Sequence, residues 1–163
     1  MRALALLLAL TTQAAADIDL LETGITCPER REGTRIPAPD TDAGFVLRFP
    51  FTDFDATGNV VPLLPDLSFG LRVVQDGAGP WPVTITVTHP PMGAERRTRQ
   101  SWQSVLEPGQ PGMIRYGFDF PHELLPGTWT LAVTAANGDT VSVSFRMVAP
   151  AALPDLCAGA LSS

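Results

Sequence analysis

Short runs of alternating apolar and polar residues, separated by turn residues, dominate the second half of the chain. The clearest two runs flank Asn137-Gly138, a dipeptide typical of tight hairpins because both turn positions favour positive φ. No stretch keeps a helical period over a dozen residues. The pattern predicts an all-β fold, an antiparallel β-sandwich. The apolar positions of the two runs are Trp129, Leu131 and Val133, then Val141, Val143, Phe145 and Met147.

Further runs predict the other strands of the sandwich. We expect strands around residues 102–106 and 45–49, and an opening strand over residues 20–27. The segment 28–42 is polar and rich in proline, which predicts a long loop. The predicted inward faces are Val83, Ile85 and Val87; Leu67, Phe69, Leu71 and Val73; and Ile114, Tyr116, Phe118 and Phe120.

The segment from Tyr116 to Val133 joins two of these strands through a short L-x-P-G turn, which is followed by an aromatic residue. This arrangement resembles the corner between the late strands of immunoglobulin- and fibronectin-like sandwiches. The resemblance implies an immunoglobulin/fibronectin-like antiparallel β-sandwich and carries no function.

The N-terminus has the pattern of a cleavable secretory signal. Arg2 precedes an apolar run over residues 3–10, and Ala14, Ala15 and Ala16 supply the small residues of a cleavage site after Ala15 or Ala16. The apolar run is too short to span a bilayer, which needs about 20 residues. We therefore expect residues 1–16 to be removed, and a periplasmic or secreted protein without a transmembrane segment after cleavage.

The remaining chain, residues 17–163, has a length that suits a single β-sandwich domain. Its core strands are expected over about 66–148, with a C-terminal tail over 149–163. The whole sequence has 17 acidic and 11 basic residues, and all the basic residues are arginine. The closest group of three basic residues is Arg96, Arg97 and Arg99, which suits a solvated loop or strand edge. An acidic chain without a larger basic cluster is a poor candidate for binding nucleic acid.

Cys27 and Cys157 are the only cysteines. In an oxidising compartment a lone pair favours a disulfide, whereas catalytic or metal-binding pairs usually lie close together in sequence. The predicted bridge ties one end of the domain to the other. On the chain-entropy estimate, closing so long a loop stabilises the fold by roughly 5 kcal/mol.

Several segments resemble an uncharacterised family of exported bacterial proteins, domain of unknown function 3859. They are D-L-S-F-G-L-R-V from Asp66, T-H-P-P from Thr88, Y-G-F-D-F from Tyr116 and E-L-L-P-G-T-W-T-L from Glu123. L-L-E-T-G-I from Leu20 and P-D-L-C from Pro154 resemble alphaproteobacterial members. The resemblance implies a small envelope-associated β domain and assigns no activity, so it identifies no functional residue.

Two histidines limit the chemistry that the chain can perform. His89 follows Val83, Ile85 and Val87 in phase, so it should face the core at a strand end, where Pro90 and Pro91 stop the strand. A buried, hydrogen-bonded histidine is the simpler interpretation. A soft copper-type site with Met92 is the alternative.

The second histidine lies in the corner segment that joins two predicted strands. Asp119, His122 and Glu123 offer oxygen and nitrogen ligands for zinc if the fold brings them together. A solvated corner is the alternative, because Asp119 belongs to the polar face of a strand and the other two to a turn. Trp81 lies between Pro80 and Pro82 and is either an exposed stacking platform for a sugar or a cap on the core.

The sequence contains no G-x-S-x-G nucleophile motif, phosphate-binding glycine loop or dinucleotide fingerprint. We therefore assign no catalytic residue and no cofactor. The favoured hypothesis is a non-catalytic binding or accessory module of the cell envelope, which binds a protein or glycan through loops or an open sheet edge. The alternatives are a metal-dependent hydrolase or metal-binding protein at Asp119, His122 and Glu123, and carbohydrate binding through Trp81.

Overall fold

The computed structural model describes residues 17–28, 33–48 and 53–157. The predicted signal sequence and residues 158–163 of the predicted tail lie outside the described residues. Eleven strands are found in the part that is described. They are β1 (Ile18–Thr26), β2 (Thr34–Pro37), β3 (Phe45–Arg48), β4 (Ala56–Thr57), β5 (Val60–Pro62), β6 (Ser68–Gln75), β7 (Trp81–Met92), β8 (Arg97–Leu106), β9 (Gly112–Gly117), β10 (Gly127–Ala135) and β11 (Thr140–Val148).

The strands form two large sheets and a separate hairpin. The first sheet has the order β4-β1-β6-β9, and the second has the order β5-β11-β10-β7-β8. Every pairing is antiparallel except that of β5 with β11. Among the described strands, β2 and β3 pair only with each other. The predicted antiparallel β-sandwich is confirmed, and strands β8 and β9 form the edges of the two sheets on the same side of the sandwich.

The core lies between the sheets because each strand directs alternate side chains inward. The predicted faces of β6, β7 and β10 are all buried, with Phe69 and Trp129 completely inaccessible to solvent. These two rings meet edge to face, with centroids 6.1 Å apart. Strand β1 lies inside its sheet and contributes Ile18 and Ile25, so the core also includes residues near the start of the described chain.

Four local predictions differ from the structure. Segment 28–42 is not all loop, because Thr34–Pro37 pairs with Phe45–Arg48. Pro90 and Pro91 do not stop β7, because an irregularity between Thr88 and Met92 lets the strand pass them. Phe120 is 38 % exposed, since β9 ends at Gly117 and the chain then turns into a 3-10 helix.

The fourth difference concerns the turn between β10 and β11. The predicted hairpin is present, but the turn is longer than two residues. The N–H of Gly138 donates to the carbonyl of Ala135, and the N–H of Ala135 donates to the carbonyl of Asp139. Gly138 has a φ of 92°, whereas Asn137 does not adopt positive φ. A two-residue hairpin turn of type I′ needs positive φ at both of its central residues, whereas this longer turn needs it only at Gly138.

Cys27 and Cys157 form the predicted disulfide, with their Cα atoms 5.4 Å apart. The bond joins the residue that follows β1 to the segment that follows a 3-10 turn at Pro150–Ala152. Cys157 is buried against the core, so the bridge holds the C-terminal segment on the sandwich. Among the described residues, no helix has the length and apolar character needed to cross a membrane.

We predict that replacing both cysteines by serine (Cys27→Ser with Cys157→Ser) lowers the free energy of unfolding by up to about 5 kcal/mol. The loss arises because the disulfide, which joins residues 130 positions apart, no longer limits the conformational entropy of the unfolded chain. Urea denaturation of the oxidised protein and the double variant measures the difference. The reduced wild type is the control and should match the variant. Two free thiols in the mass spectrum of the non-reduced protein would contradict the bridge.

Candidate functional site

Four buried polar side chains form a connected chain near the open side of the sandwich, between the edge strands β8 and β9. We call it the buried polar chain; its members are His89 of β7, Gln100 of β8, Tyr116 of β9 and Glu123 of the 3-10 turn. None is more than 7 % exposed. Buried polar groups are expensive unless they are hydrogen-bonded, so each contact in this chain matters for the fold.

The hydrogen bonds fix which groups donate and which accept. The hydroxyl of Tyr116 donates to Oε1 of Glu123, and the amide N–H of Phe120 donates to Oε2 at 2.7 Å. The side-chain NH₂ of Gln100 donates to the oxygen of Tyr116 at 2.6 Å and faces Nε2 of His89 at 3.3 Å. Both carboxylate oxygens of Glu123 thus accept, as an ionised carboxylate does.

His89 completes this pattern as a neutral ring. Its Nδ1 lies 2.9 Å from the carbonyl oxygen of Pro90, which only accepts, so Nδ1 carries the proton and Nε2 accepts from Gln100. The ring stacks at a tilt on the indole of Trp129, with centroids 4.8 Å apart. Burial lowers the pKa of His89, which also favours the neutral form.

Burial shifts the pKa of the Glu123 carboxyl and the pKa of the Tyr116 phenol in the same direction. Burial raises the pKa of Glu123, while its two donors favour the charged form and partly oppose that increase. Burial and the neighbouring carboxylate raise the pKa of Tyr116, so the phenol remains protonated and remains a donor. These groups form a fixed set of complementary donors and acceptors.

A cavity of about 550 Å³ lies beside the buried polar chain, between the β2–β3 hairpin and the edge strands β8 and β9. We call it the open cleft. Its volume falls in the range of small-molecule sites, about 300–1,000 Å³. The hairpin contributes a mostly apolar wall, and Trp102 and Ile114 add apolar surface from the sandwich. The hairpin residues of this wall are Ile36, Ala43, Phe45, Val46 and Leu47.

The loop at the tip of the hairpin, residues 38–44, is attached to the sandwich mainly by polar contacts. The amide N–H of Asp42 donates to Oε1 of Gln100 at 2.6 Å, and the amide of Ser101 donates to the carbonyl of Asp40 at 3.3 Å. The carboxylate of Asp42 also contacts Nε2 of His122. Gln100 therefore connects the buried polar chain with the hairpin that covers the open cleft.

One end of the open cleft is acidic. Asp66, Asp119 and Glu123 all line it, near Ser68, and the cleft lining also includes two arginines, Arg48 and Arg115. Burial raises the pKa of Asp119, and the charge of Asp66 raises it further, because two close carboxylates disfavour each other's ionisation. Glu123 is already occupied by its two donors, so Asp66 and Asp119 present the acceptors that remain for a ligand.

The proposed zinc ligands do not form one set. His122 turns to Asp42 and stacks on Phe120, with ring centroids 5.3 Å apart, while Glu123 turns inward to Tyr116. In the described parts of the chain, no group of three histidine, cysteine, aspartate or glutamate side chains has the geometry of a metal site. The corner separates the three residues because the 3-10 turn directs Glu123 to the core and His122 to solvent.

His89 faces the core as predicted, and the structure does not aim it at Met92. Both ring nitrogens are engaged, one with Pro90 and one with Gln100, so a soft metal would have to displace existing hydrogen bonds. Trp81 begins β7 instead of lying in a loop, and it is half-buried against the core. That position matches the core-capping alternative better than an exposed stacking platform.

The sequence analysis did not identify Gln100 or the polar role of Tyr116. The alternating pattern places the ring of Tyr116 in the core and carries no sign of the partners of its hydroxyl. Gln100 is in phase with Trp102, Ser104 and the buried Leu106 on β8. A glutamine on the inward face of a strand is a detectable signal, because a buried amide requires partners.

Comparisons with known proteins agree with this fold. The model of a family described as domain of unknown function DUF3859 matches residues 15–146. A solved immunoglobulin-like protein from Pseudomonas aeruginosa is 19 % identical, with a TM-score of 0.51, and the match covers 85 % of this chain and all of that one. No curated protein matches the sequence. The predicted family and fold class are confirmed, and the alphaproteobacterial origin stays a prediction.

We predict that Tyr116→Phe lowers the free energy of unfolding by about 1–3 kcal/mol, because Gln100 and Glu123 both lose a buried partner. Thr84→Val is a matched control. It removes a hydroxyl that is hydrogen-bonded to Gln103 on the solvent face, so its effect should stay within about 0.5 kcal/mol. Urea denaturation measures both. Equal losses in the two variants would show that the buried polar chain contributes no special stability.

We also predict that His89 makes the fold sensitive to acid. The unfolded chain binds a proton near the ordinary histidine pKa of 6.5, whereas the folded protein binds it only at lower pH. The free energy of unfolding therefore falls as the pH drops below about 6.5. Glu123 acts oppositely: its raised pKa gives stability that is complete below the unfolded value of 4.5 and is lost as the pH rises.

Urea denaturation between about pH 7.5 and 4.5 separates the two effects, because it covers the range over which both side chains change their protonation. A His122→Gln background leaves His89 as the only histidine. In this background, the further substitution His89→Gln should remove the loss of stability on acidification. Glu123→Gln in the same background should make that loss steeper. An unchanged slope after His89→Gln would contradict the assignment of a neutral, buried ring.

Proposed function

We propose that this chain, which belongs to the DUF3859 family, is an exported, non-catalytic binding module. The description of that family assigns no function. The observation that supports this proposal best is the open cleft beside two sheet edges. It combines an apolar wall with polar and charged groups of both signs, which can orient a ligand and make its binding specific. The buried polar chain next to it supplies rigid support.

Export is part of the proposal. A disulfide that joins distant parts of the chain is compatible with an oxidising compartment, because cytosolic proteins are usually kept reduced. The N-terminal pattern supports removal of residues 1–16 and a mature domain over residues 17–163. N-terminal sequencing of protein from the periplasm or the medium tests this point. We expect a start at Ala16 or Asp17, and an intact N-terminus in the cytoplasm would contradict it.

The polar groups around the open cleft support binding more strongly than catalysis. Both ring nitrogens of His89 and both oxygens of Glu123 already have partners inside the protein. A general base needs a free acceptor within reach of a substrate proton. His122 is the more exposed histidine, and its Nε2 contacts Asp42 at the tip of the hairpin. We therefore propose that these groups position the walls of the open cleft.

We predict that small ligands bind in the open cleft and that filling it prevents binding. A fragment library of cationic, anionic and neutral apolar compounds is screened by amide chemical shifts in NMR. The shifts should map to β8, β9 and the hairpin. Ser104 points into the cleft, so Ser104→Trp should weaken the hits at least about tenfold.

Ser142→Trp is the matched control, because Ser142 is exposed on the outer face of the second sheet. It should leave the fragment affinities unchanged. Thermal unfolding verifies that both variants are folded. Hits that map to another surface, or that persist in Ser104→Trp, would show that the cleft is not the binding site.

A further inference from the structure

Strand β9 is the edge of the first sheet that faces the open cleft. It pairs with β6 in antiparallel register, with Ser68 opposite Gly117. The N–H of Phe118 donates to the carbonyl of Leu67 in the same register, at 3.0 Å. Hydrogen-bonded and non-hydrogen-bonded pairs alternate in such a ladder. The backbone groups of Met113, Arg115 and Gly117 therefore point away from β6, toward the side where the cleft lies.

The open cleft lies along this edge. Residues 113–117 line it on one side, and the apolar wall of the hairpin lies across from them. A sheet edge presents a row of backbone donors and acceptors about 4.8 Å from where a further strand would lie. An extended peptide that adds to such an edge gains affinity from main-chain hydrogen bonds and specificity from pockets for alternate side chains.

Two carboxylates lie at the Gly117 end of this edge. The one cation on β9, Arg115, donates from its guanidinium to the hydroxyl of Thr26 at 3.3 Å. Asp119 follows Gly117 in phase, and its Oδ1 lies 3.8 Å from the position that a Cβ on Gly117 would take. Asp66 is close enough to affect the ionisation of Asp119. Within the described residues, neither carboxylate takes part in an ion pair. A cationic side chain placed here would relieve the repulsion between the two carboxylates.

We propose that β9 is a docking edge for an extended segment of another exported polypeptide, which carries an arginine or lysine side chain beside Asp66 and Asp119. This inference rests on the proposed function of the open cleft and names its ligand class. The segment adds as a further strand of the first sheet. Every second side chain enters the gap toward Trp102 and the hairpin wall, and the basic side chain lies at the Gly117 end.

Three synthetic six-residue peptides with capped ends test the proposal. The first alternates threonine and valine and has one central arginine. The second has glutamate in place of that arginine. The third keeps the arginine and is N-methylated at alternate residues, which removes the N–H donors of one edge. Amide NMR titration of the wild-type protein gives the affinities, and amide hydrogen exchange reports new hydrogen bonds.

The arginine peptide should shift the amides of β9 and slow hydrogen exchange at Met113 and Gly117. The glutamate peptide should bind about fivefold more weakly, and the N-methylated peptide at least about tenfold more weakly. Asp66→Asn and Asp119→Asn should each weaken the arginine peptide about three- to fivefold. Asp19→Asn is the matched control, because Asp19 is exposed on β1, and it should change nothing.

Other outcomes would overturn the proposal. Equal binding of the N-methylated peptide would exclude strand addition, and equal binding of the glutamate peptide would exclude the role of Asp66 and Asp119. Shifts at β8 or β4, or no binding at about 1 mM peptide, would exclude β9 as the docking edge. A dimer in light scattering whose β9 amides are protected would assign this edge to a second copy. If fragments still occupy the cleft when the peptides fail, the proposed function stands and the strand-docking inference alone is wrong.

Discussion

The indole of Trp129 lies where the inner faces of the two sheets meet, and most of the described architecture depends on its burial. It extends from β10 of the second sheet and contacts the rings of Phe69, Tyr116 and Phe118 from the first sheet. Neither sheet can remain stable with such an apolar face in water, so each must cover the other. The indole N–H donates to the carbonyl of Leu125, which satisfies its one polar group and fixes the corner before β10.

The same packing requirement creates the polar chain. Tyr116 contributes its ring to the aromatic core while its hydroxyl reaches Glu123, and His89 lies against Trp129 with both ring nitrogens satisfied. A buried carboxylate and a buried imidazole are costly by themselves, but together with Gln100 they satisfy one another. Because Gln100 also accepts from the backbone of Asp42, its amide side chain connects the core with the hairpin.

The open side of the sandwich follows from the unequal coverage of its edges. Two sheets that pack face to face leave their edge strands exposed, and proteins must cover, shorten or use such edges. Here the β2–β3 hairpin lies across the gap between β8 and β9 without joining either sheet. The space beneath it is lined by apolar side chains on the hairpin, by residues of β9, and by the acidic side chains of Asp66 and Asp119 beside that strand, which is a surface suited to recognition.

The sequence by itself determined the parts of this protein that depend on local periodicity and on composition. Alternation at every second residue predicted the buried faces of β6, β7 and β10, because a strand sends successive side chains to opposite sides. The lone cysteine pair predicted the disulfide, because two cysteines in an oxidising compartment usually form a bond with each other. Only the tertiary structure decided which polar residues meet. Gln100 and Tyr116 lie 16 residues apart, and Asp42 lies 80 residues from His122, so no local pattern indicates these contacts. The same limit explains the separation of Asp119, His122 and Glu123, since neighbours in a turn point in directions that the surrounding core selects.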